Sequence, residues 1–322
     1  MVDVARHAGV SLKTVSRVVN DEPVGRELVD RVLAAIAELG FRRNDIARNL
    51  RSGQVSATIG LLIEEIANPF YATLASVAAE VAAVHRTLLI TASSEEDPAR
   101  ERALLADLTQ RRVDGLLVVP AGDDHSFLRR EVELGMPVVF LDRPPERLLA
   151  DAVLLDNQGG SRAGIRALLD AGHRRIALLL GPLRTYTMRE RLAGARAELA
   201  GAGVRDEALL RDGITSPEEA ERAAAALLDL PDPPTAFFCG NNRLTVGALQ
   251  ELHRRGSTAA LVGFDDFELA HLMPRPLTVI GYDSRELARV ATERLFQRIA
   301  GDQSGPSTTL LPTWLLHRGL GG

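Results

Sequence analysis

The chain has 322 residues, 46% of them hydrophobic but only 4% aromatic, so it can bury a sizeable core built mainly from aliphatic side chains. Charges interrupt every apolar run before it reaches the length of a membrane span, and a single cysteine, Cys239, excludes an internal disulfide or a cysteine-cluster metal site. Net charge is −5, yet residues 1–52 carry nine basic and seven acidic side chains, so a slightly basic head precedes a body of −7. Such asymmetry allows local phosphate contact and discourages binding elsewhere. Residues 1–20 lack the apolar core of a signal peptide, and a cytoplasmic location is expected.

Asp3, Val4, Ala5 and Ala8 belong to a short first helix. Gly9 suits a helix stop and Ser11 the next start, with a turn between them of the length that joins two helices. In the second helix Val15, Val18 and Val19 recur at helical spacing and mark the buried stripe. Lys13 and Arg17, and again Ser16 and Asn20, sit four apart on other faces. A short, polar, cationic face suits the DNA major groove, and it equally suits a small helical pair with a solvated side. A third helix is expected from Arg26 to Leu39, with Leu28, Val32, Leu33, Ile36 and Leu39 turned inward and Gly40 as its stop. Residues 44–52, NDIARNLRSG with its closing Gly53, form a helix too short to stand alone in water.

The stretch DVARHAGVSLKTVSRVVN resembles the opening helix-turn-helix of the lactose-repressor family of bacterial transcription regulators, and the likeness extends through most of the chain. Members usually carry a capping Thr ahead of the first helix, where Met1 and Val2 stand here. The resemblance implies that 44–52 is a hinge helix, paired across a dimer, with Leu50 pushed into the minor groove and Ala47 beside it; such a wedge kinks DNA. The expected DNA contacts are therefore Ser11, Leu12, Lys13, Thr14, Ser16, Arg17 and Asn20 in the head, and Ala47 and Leu50 in the hinge.

From Thr58 onward, apolar runs at 58–63, 87–91, 115–119, 137–141, 175–180, 235–239 and 260–264 read as buried parallel strands. Amphipathic segments at 69–84, 99–112, 159–172, 188–202, 217–229 and 242–255 separate them, and this alternation predicts doubly wound α/β layers. The fold expected is an all-α helix-turn-helix head (1–43) and a hinge helix and linker (44–57). A two-lobed α/β effector domain (58–322) follows, resembling periplasmic sugar-binding proteins. Lobe 1 would take about 58–157 and 283–309, and lobe 2 about 158–282 and 310–322. The last long helix, 283–301, would return to lobe 1. The segment after Trp314 has no leucine heptads, so no coiled-coil tetramerisation is expected there.

Nucleotide-binding, metalloprotease and hydrolase motifs are missing, and no histidine pair has metal-ligand spacing. No enzyme, metal or cofactor is expected. The strand ends instead carry groups suited to hydroxyls: Asp142, Asn241 and Asp265 after their strands, and Arg191 early in a helix. Each could alternatively cap a helix or pair with a neighbour. By resemblance, these four match sugar contacts of relatives. Asn68-Pro69-Phe70-Tyr71 matches a family motif whose aromatic ring, Phe70 or Tyr71, stacks on a sugar. Tyr282 matches another cleft-facing position. Two departures stand out: Asn241-Asn242 replaces the usual Asn-Asp, and the link RRGSTAALVGF is about seven residues short. The function implied is that of a homodimeric repressor on a palindromic double-stranded operator, controlled by a sugar-like effector and without a membrane partner. A corepressor sign is the alternative, and a solute-binding protein or an enzyme stands further off.

Overall fold

In the computed structural model residues 1–19, 22–39, 56–204 and 207–319 are described. They form two compact units, Met1–Ser56 and Ala57–Gly322. Among these residues no helix is long and apolar enough to cross a membrane.

The first unit holds α1 (Val2–Ala8), α2 (Leu12–Val19) and α3 (Arg26–Glu38). Gly9 ends α1 at φ 62°, a left-handed conformation that glycine adopts without steric cost. Ser11 starts α2: its Oγ accepts the Thr14 amide at 3.0 Å. Arg31 of α3 donates to the carbonyls of Ala8 and Gly9, tying the third helix to the turn between the first two. The core consists of Val4, Ala5, Ala8, Val15, Val18, Val32 and Ala35, all small, so its hydrophobic stabilisation is modest. Two expectations for α3 fail. Leu33 and Leu39 are exposed, and Val29, Val32, Ala35 and Ile36 face inward. The stripe through Val32 leaves Leu33 about 100° round the helix.

The second unit is two doubly wound layers. The strands are β1 (Thr58–Ile63), β2 (Leu88–Ser93), β3 (Leu116–Val118), β4 (Val138–Leu141), β5 (Asp151–Leu155), β6 (Ile176–Leu179), β7 (Leu210–Arg211), β8 (Ala236–Cys239), β9 (Ala260–Phe264), β10 (Leu277–Gly281), β11 (Thr308–Leu311) and β12 (Trp314–Arg318). Sheet order is β11-β5-β4-β3-β1-β2 in one lobe and β12-β10-β9-β8-β6-β7 in the other. The order 2-1-3-4-5 therefore occurs twice, and only β12 runs antiparallel to its neighbour. The long helices are α4 (Pro69–Val84), α5 (Pro98–Gln110), α6 (Asn157–Asp170), α7 (Tyr186–Gly201), α8 (Pro217–Leu228), α9 (Asn242–Arg254) and α10 (Ser284–Ile299). They cover both faces of each sheet, so the central strands are apolar throughout, as parallel strands must be.

The chain crosses between lobes after β5, after β10 and after β11. Helix α10 packs under the first sheet through Leu287, Ala291 and Leu295. Because β11 pairs with β5 as far as Leu311, the last crossing follows 311 rather than 309. The strands β5, β7, β10, β11 and β12 were not among the apolar runs read from sequence. Asp151 opens β5 with a charge, and β11 and β12 are half-exposed edges.

Candidate functional site

The lobes face each other across a cavity of about 330 Å³ formed by the carboxyl ends of their strands. All seven expected cleft residues, Phe70, Tyr71, Asp142, Arg191, Asn241, Asp265 and Tyr282, line it.

In lobe 2 they form one network. Arg191, on the second turn of α7, is buried and donates through Nε to Asn157 Oδ1 at 2.8 Å. Its Nη1 donates to the Gly240 carbonyl at 2.6 Å, and both terminal nitrogens lie 3.4 Å from the Asp265 carboxylate. The guanidinium also sits 3.7 Å over the Phe264 ring, a cation–π contact that offsets part of its desolvation. Tyr282 donates to Asp265 Oδ1 at 3.0 Å; burial, then the Asp265 charge, push its phenol well above the usual range, so it remains a donor. Helix α7 lies close enough to α6 for this network because Gly194 faces Gln158, where a Cβ would stand 2.4 Å from the carbonyl oxygen. Asn241 caps α9 by accepting the Leu244 amide at 2.9 Å, which leaves its amide nitrogen for a ligand. Asp266 turns away to Arg318, so the adjacent aspartates do not act as a pair.

Lobe 1 is organised differently. Asn68 caps α4, and Pro69 follows at its first turn. Tyr71 is buried and donates to Glu64, whereas Phe70 is half-buried, edge-on to Tyr71 at 4.9 Å and to Tyr282 at 5.8 Å. Both rings border the cavity, and Phe70 is the more open of the two. Asp142 is buried, and Arg143 donates its amide to the Leu141 carbonyl across it, closing a γ-turn with Asp142 at φ 64°. Burial raises the Asp142 pKa against the lowering pull of Arg143 and Arg191. Asp265 has the same left-handed backbone, φ 71°. Non-glycine residues held there cost about 1–3 kcal/mol and concentrate at functional sites.

Sequence reasoning missed four contributors. Arg143 is buried; it donates to the Pro120 carbonyl at 2.7 Å, to Glu64 at 2.7 Å and to Glu96 at 2.5 Å. Burial raises Glu64 to about 8, while Arg143 chiefly holds Glu96 low against its own burial. Asn157, at the start of α6, was hidden with the unread strand before it. At the cleft mouth, Arg243 on lobe 2 reaches Glu65 on lobe 1 at 3.1 Å.

In the head, Leu12, Lys13 and Arg17 are exposed on α2. Arg17 donates to the Pro23 carbonyl at 2.7 Å and lies 3.5 Å from Glu22, so a DNA base would have to draw it from the turn. Ser11 and Thr14 share a hydroxyl hydrogen bond of 2.8 Å, and Ser16 is half-buried. Asn20, Ala47 and Leu50 lie outside the described residues.

A family model described as bacterial regulatory proteins, lacI family, matches residues 1–44, and one described as periplasmic binding proteins and sugar binding domain of LacI family matches 56–318. The chain belongs to the LacI family. The ribose operon repressor of Escherichia coli (strain K12) is 34% identical to this LacI-family chain over 99% of it and 98% of that protein. The transcriptional repressor PurR of Photobacterium profundum is 32% identical over 92% of the chain and 91% of its own length. Among solved structures, the Lac repressor dimer bound to operator and the anti-inducer ONPF matches with a TM-score of 0.86 at 28% identity, covering 98% of this chain and 96% of that one.

Proposed function

We propose that this LacI-family chain is a cytoplasmic, DNA-binding transcription regulator, a homodimeric repressor whose operator affinity is set by a small hydroxyl-rich effector in the interlobe cleft. The observation that carries the reading is the cleft itself. Two lobes of one topology present planar two-point hydrogen-bonding groups, Arg191, Asp265 and Asn241 from one side and Asp142 from the other, with the Phe70 ring between them. Vicinal hydroxyls satisfy such groups, and apolar ligands do not.

In the head, Ser11, Leu12, Lys13, Thr14, Ser16, Arg17 and Asn20 meet the major groove, and Ala47 and Leu50 the minor groove. The mechanism is linkage: the effector favours one lobe angle, the angle biases hinge pairing, and pairing sets DNA affinity. Its role is binding rather than catalysis, as suits a cleft whose charged groups hold one another instead of a nucleophile.

The test is selection of bound sequences from a random duplex pool, then gel shifts of the selected site with and without a sugar and nucleoside panel. A palindromic site released by one compound is the expected result. Failure to select any sequence, or a selected site whose affinity no panel member changes, defeats the reading. Tightening instead of release would assign the corepressor sign.

A further inference from the structure

The lining of the cleft carries more information than its general polarity, and the following rests on reading it as the effector site. Six acidic and four basic side chains line the cavity; with Glu64 keeping its proton, one negative charge remains in excess. Three of the four guanidinium groups are already engaged. Arg191 is held by Asp265, and Arg243 by Glu65. Arg143 is gripped by Glu64 and Glu96 and by the Pro120 carbonyl. Arg184 is exposed at the rim, where its charge acts on Glu96.

Asp142 is the reverse case. Its carboxylate is buried, yet among the described residues no hydrogen bond reaches it, and its nearest cation, Arg143, stands 3.7 Å away with Nε lacking a hydrogen-bond partner. An acceptor on a cavity wall that has no donor from the protein is completed by whatever enters beside it. A hydroxyl group would complete it. A phosphate would bring a second anion to a wall already in negative excess.

We propose that the cleft takes an uncharged, hydroxyl-bearing ligand and excludes its phosphate ester, because Glu64 and Glu96 occupy the Arg143 guanidinium and leave Asp142 as the open acceptor of the first lobe. Glu64 and Glu96 are then specificity-determining residues acting through Arg143.

The experiment is titration calorimetry on the full chain with matched pairs: D-ribose and its 5-phosphate, D-fructose and its 1-phosphate, adenosine and its 5′-phosphate. The free member of the binding pair should bind at least about tenfold more tightly than its ester, since like-charge juxtaposition is strongly unfavourable. Glu64→Gln/Glu96→Gln should narrow that ratio, by removing negative charge and releasing Arg143. Should that variant not fold, Asp142→Asn serves: it should weaken the free compound at least about tenfold and reduce the penalty on the ester. An ester that binds wild-type protein as tightly as its parent compound overturns the inference and leaves the cleft as the effector site. No binding by any free compound or ester, with operator binding intact, overturns the reading of the cleft itself.

Discussion

The first lobe leaves β4 at Asp142 and the second leaves β9 at Asp265, and the two corners share a backbone. Each aspartate has positive φ, and each donates its amide to the neighbouring strand at 3.0 Å, Asp142 to Val153 and Asp265 to Ile280. Their company differs. Asp265 is met by Arg191 and Tyr282, so its carboxylate is satisfied before any ligand arrives. Asp142 has Arg143 next to it in sequence, but Glu64 and Glu96 draw that guanidinium away. A repeated topology thus fixes where a side chain points, and the charges around it decide what it can bind. One lobe offers a preorganised grip, and the other an open acceptor.

The comparison breaks most visibly at Arg191. Arg191→Ala strands Asp265 and Asn157 in a buried setting, and the second unit should lose about 3–5 kcal/mol in urea unfolding, the usual cost of removing one partner from a buried charge pair. Effector binding should vanish with it. If Arg191→Ala unfolds at the wild-type midpoint, the network adds nothing to stability and the two corners are energetically alike.

Asp142→Asn should behave oppositely. It removes a buried charge that has no donor, so stability should hold or rise slightly, while effector affinity falls by about 1.5–3 kcal/mol, the worth of a charge-assisted contact. Calorimetry and unfolding on the same variant separate the two effects; a clear loss of stability would show that the Asp142 carboxylate is already satisfied.

A pH series sharpens the contrast further. Burial keeps Glu64 protonated up to about 8 against an ordinary value of 4.5, so the folded state retains a proton that the unfolded chain gives up. That contribution is fully present below 4.5 and is lost as pH rises through 8. Glu64→Gln should flatten the fall in Tm across that window. Equal slopes for wild type and variant would place the retained proton elsewhere.

The smallest effect belongs to the half-exposed pair Glu65–Arg243 across the cleft mouth. Arg243→Gln should change stability by less than about 1 kcal/mol. It should nonetheless enlarge the radius of gyration of the isolated second unit in low salt, with the difference fading as salt is added.

Much of this was legible locally. Gly9, Ser11, Val15 and Val18 specify the first two helices within a dozen residues, and aliphatic runs such as 58–63 and 260–264 announce buried strands. Asp142, Arg191, Asn241 and Asp265 could be placed because parallel layers present strand ends to a cleft, and Tyr282 because the family resemblance marks its position. What stayed hidden depends on distant partners. Arg143 meets Glu64 and Glu96 from 79 and 47 positions away, and nothing near it in sequence marks that grip. Strand β5 begins at Asp151, whose charge looks like a loop until Arg294, Arg298 and Ser307 close around it. In α3, Leu33 and Leu39 were misjudged because helical spacing admits two neighbouring stripes, and α1 and α2 select between them.

The three crossings between the lobes lie side by side. The Asp156 amide donates to Leu311, Thr313 donates to the Asp156 carbonyl at 3.2 Å, and Gly281 pairs with Trp314. Three stitches along one line resist sliding and twisting far more than folding, so the seam behaves like the spine of a book. Tyr282 and Asn157 are set on that spine, and Glu65 and Arg243 on the outer margin of the pages. A push near a spine has a short lever arm. Displacement there of a fraction of an ångström swings the margins through a multiple of that distance, whereas the same displacement at the margin scarcely turns the page.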